Sequence, residues 1–125
     1  MKHRHFFERL DKERLSEAIR LTESSGRIAI TLFISHKMVE EPLAAAEKEF
    51  ARIRKKQRNP HPTLLIFIAP QSKKFAILGS PELHAKVGQK RWNEWSDLLS
   101  NHFRQEQYTD GLIAMLGAVR NALQT

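Results

Sequence analysis

Two apolar runs rich in β-branched residues constrain this chain more than anything else: Arg27–Ser35 (RIAITLFIS) and Thr63–Ala69 (TLLIFIA). Neither alternates apolar with polar residues, as a strand with one wet face would. Each therefore predicts a strand covered on both faces. Between them, Glu40–Arg58 follows the helical period, with Leu43, Ala46, Phe50 and Ile53 on one side. Strand, helix and strand in that order predict a right-handed crossover joining parallel strands. Asn59-Pro60-His61-Pro62 must end the helix, because neither proline can continue it.

The rest of the chain fits around this unit. Pro70-Gln71-Ser72-Lys73 predicts a tight turn into a third strand, Lys74–Leu78, closed by Gly79 and antiparallel to the second. Before the first strand, Asp11 is placed to cap a helix, and Leu10 to pack on Leu15 as a hydrophobic staple. Leu15, Ala18, Ile19 and Thr22 share its inner face, and Gly26 predicts a left-handed stop. Arg91–Phe103 aligns Trp92, Trp95, Leu99 and Phe103, and a last helix after Asp110 carries Leu112, Met115, Leu116, Val119 and Leu123. The order is α-β-α-β-β-α-α. It predicts an α/β fold, a three-layer α/β/α sandwich whose mixed, mainly parallel sheet gains one antiparallel strand.

At 125 residues the chain suits one domain, residues 1–125, with residues 1–5 expected as a mobile tail. There is no cysteine, which removes disulfides, thiolate metal sites and cysteine nucleophiles. No apolar run approaches the roughly 18–20 residues that cross a bilayer. Glu8, Arg9, Asp11 and Lys12 fall where a signal peptide would be apolar. The expectation is a soluble, cytoplasmic protein.

The topology predicts where loops can meet. One end of the sheet holds Ser35, His36 and Lys37 beside the 70–73 turn. The other gathers three segments: Ser24–Arg27 before the first strand, Pro60–Pro62 before the second, and Gly79–Glu82 after the third. A pocket is expected at this second end, with Arg27, His61, Ser80 and Glu82 as its candidate residues. No phosphate-binding glycine loop, HExxH, EF-hand loop or GxSxG occurs. His3 and His5 lie in the expected tail, while His36, His61, His84 and His102 are scattered, so no metal site is assigned. Trp92 and Trp95 are read as core and not as a base-stacking platform.

The formal net charge is +7, and Arg52, Arg54, Lys55, Lys56 and Arg58 supply five of those charges within seven residues. The rest of the chain stands near balance. This basic patch suggests a nucleic-acid or anionic-surface contact. Cations in the last turn of a helix also answer its dipole, however, and no known nucleic-acid reading motif accompanies them. A nucleic-acid partner is therefore the disfavoured reading, behind an unknown protein partner or a small anion.

Several stretches together resemble the TPM domain family. They are Phe6-Phe7, Ala18-Ile19 and Glu23-Ser24-Ser25-Gly26, then Thr63–Ala69 and Lys74–Gly79, and finally Trp92, His102-Phe103 and Tyr108-Thr-Asp-Gly-Leu112. The resemblance runs from about Phe6 to Leu123 and is to short members without a signal peptide or anchor. It implies an α/β/α sandwich. It also implies a family in which some members are acid phosphatases, some bind calcium or other divalent cations through acidic loops, and some assist assembly or repair of membrane complexes. Short relatives carry Glu after the glycine that opens strand one and Asp after the glycine that closes strand three. This chain has Arg27 and Ser80 there. The local charge changes by about three units at neutral pH, and hard cations want several oxygen ligands, usually with more than one carboxylate. Only Glu82 and Glu23 remain nearby. The resemblance so adjusted implies a non-catalytic binding or accessory domain with a degenerate metal site and no cofactor. The alternatives are a residual acid phosphatase or calcium-binding domain, and an anion pocket of Arg27, His61 and Ser80 beside the amides around Gly79.

Overall fold

Asp11 does cap a helix: its side chain accepts a hydrogen bond from the Arg14 amide at 3.1 Å. A computed structural model describes residues 3–57 and 61–124 of the chain. The elements are α1 (His3–Glu8), α2 (Lys12–Gly26), β1 (Ala29–Ile34), α3 (Pro42–Lys56), β2 (Thr63–Ala69), a 3-10 turn (Pro70–Ser72), β3 (Lys74–Gly79), α4 (Pro81–Arg104) and α5 (Tyr108–Leu123). The sheet order is β1-β2-β3. β1 and β2 pair in parallel with Ala29 opposite Thr63, and β2 and β3 pair antiparallel with Leu64 opposite Gly79.

The two-sided apolar run of β2 has its explanation here. β2 is central, and all seven of its residues are buried. Leu64, Ile66 and Ile68 join Leu15 of α2, Trp95 and Leu99 of α4, and Met115 and Leu116 of α5 in the larger core. Leu65, Phe67 and Ala69 face the other way, onto Ala46, Phe50 and Ile53 of α3. The layers are thus α2, α4 and α5 on one face of the sheet and α3 on the other.

Four details depart from the sequence expectation. Residues 3–5, expected in a tail, belong to α1, and Phe6 in the same helix is fully buried beside Phe103 and Tyr108; residues 1 and 2 lie outside the described residues. Gly26 is not the left-handed residue that stops α2. It is the last helical residue, and Arg27 takes the left-handed conformation at φ 53°. Gly26 is glycine for space, because a Cβ there would lie 2.9 Å from Leu123 Cδ1. Leu43, expected on the inner stripe of α3, is instead 53% exposed. Finally, the last but one helix begins ten residues before Arg91, at Pro81, and is interrupted at Gly88 (φ 81°, ψ 164°), a backbone region essentially reserved for glycine. Where α4 and α5 cross, a Cβ on Gly111 would come within 2.6 Å of His102 Cβ, so a glycine is needed for the helices to approach.

Candidate functional site at one end of the sheet

Parallel pairing of β1 with β2 and antiparallel pairing of β2 with β3 bring the start of β1, the start of β2 and the end of β3 to one edge of the molecule. Thr63 is the centre of this end. Its amide donates to Ser80 Oγ at 3.0 Å, and its carbonyl accepts the Ser80 amide at 3.0 Å. Ser80 is fully buried and also caps α4, its Oγ accepting from the Leu83 amide at 3.4 Å ahead of Pro81 in the first turn. One hydroxyl thus accepts from two amides and fastens the end of the sheet to the start of α4.

Arg54 closes the arrangement from the α3 side. Its Nη1 donates to the His61 carbonyl at 2.9 Å and to Thr63 Oγ1 at 3.1 Å. Its Nη2 donates to Glu82 Oε1 at 3.0 Å. Gln57 Nε2 adds a bond to Thr63 Oγ1 at 2.9 Å, and the Thr63 hydroxyl donates to the His61 carbonyl at 3.0 Å. A guanidinium can make all these bonds at once because its donors are fixed in a planar fork. Arg54 therefore ties α3, the segment before β2 and the first turn of α4 together across the sheet end. The Arg54 hydrogen bond is the main cause of a Glu82 carboxyl held below its ordinary range, with the Ser80 hydroxyl acting in the same direction.

The sign of the resulting pH dependence follows. A carboxylate with a lowered native pKa contributes stability above its ordinary titration range, and that contribution disappears as pH falls through the native value. The parent protein is expected to be more stable than Glu82→Gln at neutral pH, and urea unfolding at a series of pH values should show the two converging toward acid. A gap that stays constant with pH would mean Glu82 is not held low by Arg54.

The other charged candidates are placed differently. Arg27 is exposed, and its amide donates to the Glu23 carbonyl at the end of α2; its guanidinium makes no ion pair among the described residues. Glu23 uses Oε2 to accept the Ile30 amide at 2.9 Å, and this amide points outward from the edge strand β1. In the basic patch Arg52 pairs with Glu49, its Nε lying 2.9 Å from Oε2. Arg54 is taken up as above, Lys55 and Lys56 are exposed, and Arg58 lies outside the described residues. Trp95 is core, whereas Trp92 is half-buried and packs against His84 with ring centroids 4.3 Å apart. Among the described residues, no group of three or more His, Asp or Glu side chains has the arrangement of a metal site.

Comparison with known proteins identifies the family and the fold. The family model of the TPM domain matches residues 1–122. The chain belongs to the TPM domain family. A solved structure, that of the BA42 protein from the psychrophilic bacterium Bizionia argentinensis, is similar with a TM-score of 0.74 at 22% identity, covering 92% of this chain and 81% of that one. At that identity the likeness concerns the fold. No curated protein matches the chain. In this TPM domain the sheet end brings His61, Ser80 and Glu82 together around Thr63, with Arg27 exposed nearby in the fold. Sequence reasoning missed Arg54 by grouping it with its basic neighbours. The signal was present: Arg54 lies four residues after Phe50, on the inward stripe of α3, whereas Lys55 and Lys56 fall off it.

Proposed function

We propose that this TPM domain acts as a binding or accessory module and not as a metal-dependent phosphatase. The observation that carries the reading is the Arg54 fork on Glu82, Thr63 and His61. A divalent cation at this end would need free carboxylates. Glu82 is held by a guanidinium and Glu23 by a backbone amide, while positions 27 and 80 offer a cation and a buried hydroxyl. The donor set does not fit calcium or magnesium. Ser80 is equally ill suited as a nucleophile, since its oxygen is buried and already accepts from two amides. The Arg54–Glu82 pair itself joins α3 to α4. Among the described residues no helix is long and apolar enough to cross a membrane.

The test combines two measurements on the purified protein. Hydrolysis of p-nitrophenyl phosphate is expected to stay at the buffer rate with or without calcium. Amide shifts of residues 23–30 and of Gly79, Ser80, Glu82 and Leu83 are expected to show no saturable response to calcium up to about 10 mM, beyond the range of even weak extracellular calcium modules. Sustained turnover that is lost in Glu82→Gln, or saturable shifts at those residues, would overturn the proposal.

A further inference from the structure

A cavity lies at the opposite end of the sheet from the Arg54 fork, where the turn between β2 and β3 meets the junction of α4 and α5. Its volume is about 450 Å³, within the range of small-molecule pockets. Ile68, Phe75, Phe103 and Tyr108 line it with apolar and aromatic surface. The rings are held in place by one another: Phe75 and Phe103 meet edge-on at 5.5 Å, and Phe103 and Tyr108 at 5.6 Å. Such a wall suits a flat apolar body.

The charged residues at this pocket are unequal in sign. Glu106 lines it, but its carboxylate is paired with Arg9 at 3.1 Å. Lys73 and Arg104 line it as exposed side chains and make no ion pair among the described residues. Lys74 adds a third cation, its Nζ donating to the Glu40 carbonyl at 2.6 Å. Burial, with the Glu106 charge second, pushes the Tyr108 phenol above its ordinary range. Lys73 and Glu106 are also two of the three described non-glycine residues with left-handed backbone, at φ 54° and 59°. The backbone is thus bent tightly on both sides of one opening.

We infer that this cavity binds a small molecule with a flat apolar body and a single anionic group, a carboxylate or a phosphate, the body seated against Phe75, Phe103 and Tyr108 and the anion met by Lys73 and Arg104. Aromatic walls alone would accept any apolar body, and exposed cations alone would attract any anion weakly. Their juxtaposition selects a molecule that carries both. The pocket shares no residue with the Arg54 fork, so the inference stands or falls separately from the function proposed above.

Indole-3-acetate tests it, with indole as the body without the charge and acetate as the charge without the body. Titration followed by amide shifts is expected to saturate for indole-3-acetate at Lys73, Phe75, Ser100, Phe103 and Glu106. Binding of indole or of acetate is expected to be weaker by about tenfold or more. Lys73→Asn combined with Arg104→Gln removes both charges, and asparagine keeps the left-handed backbone well. That variant should lose about the same factor for indole-3-acetate while leaving indole unaffected. Ser100→Trp, which fills the cavity from α4, should abolish binding of both. Equal affinity for indole and indole-3-acetate, saturation at residues elsewhere, or no saturation with any of the three would overturn the inference.

Discussion

Replacing Phe6 with alanine is expected to destabilise the protein by about 3–5 kcal/mol, although the residue lies only six positions along the chain. Its ring is fully buried, 4.8 Å from Tyr108 and 6.4 Å from Phe103, and it belongs to the same core as Trp95 and Leu112. Deleting it removes transfer energy and leaves a cavity that α1, a helix of six residues, has few means to fill. For a chain of this length the loss corresponds to a fall of roughly 10–20 °C in Tm. Phe7, half-buried and stacked on His36 at 5.0 Å, should cost much less on the same change. Thermal unfolding of both variants checks this. A Phe6→Ala protein that melts with its parent would place α1 outside the cooperative core.

The second large effect is expected at Ser80. Ser80→Ala removes the acceptor for the buried Thr63 amide and the cap of α4 together. An unsatisfied buried donor and a lost cap combine to about 2–4 kcal/mol. The change is local in origin, so amide exchange adds a specific readout: Thr63 should lose protection beyond what global destabilisation explains. Urea unfolding gives the magnitude. A cost below about 0.5 kcal/mol, as an ordinary surface change would give, with Thr63 still protected, would remove Ser80 from the structural role assigned to it.

The parts of this fold legible in the sequence are those whose cause is local or periodic. β2 stands out because a strand covered on both sides needs an unbroken apolar run, β1 carries a similar run at the sheet edge where only Ile30 is buried, and α2 stands out because Asp11 and the stripe from Leu15 announce it. α1 was not legible, since its six residues owe their place to Phe6 entering a core built a hundred residues later. The early start of α4 is legible in principle: Ser80-Pro81-Glu82 is a cap, a proline in the first turn and an acid, which together announce a helix beginning. At the candidate site, topology puts the His61 carbonyl, Ser80 and Glu82 at one end of the sheet. What no pattern gives is whether a polar side chain is free or already engaged. Ser80 is a cap, Glu82 a partner of Arg54, and Glu23 a stopper for the Ile30 amide. Only the three-dimensional pairing assigns these roles.

The interruption at Gly88 changes what α4 is mechanically. Twenty-four residues of unbroken helix would form a stiff rod of about 36 Å, able to carry a displacement from one end of the sheet to the other. As built, the segment before Gly88 is bolted to the Arg54 fork through Ser80 and Glu82, while the segment after it supplies Phe103 and Arg104 to the far pocket. The joint between them sits where a substituent would meet no neighbour within 4 Å, so only backbone conformation, and not crowding, demands the glycine. The two ends of the domain are therefore not joined by one unbroken helical rod.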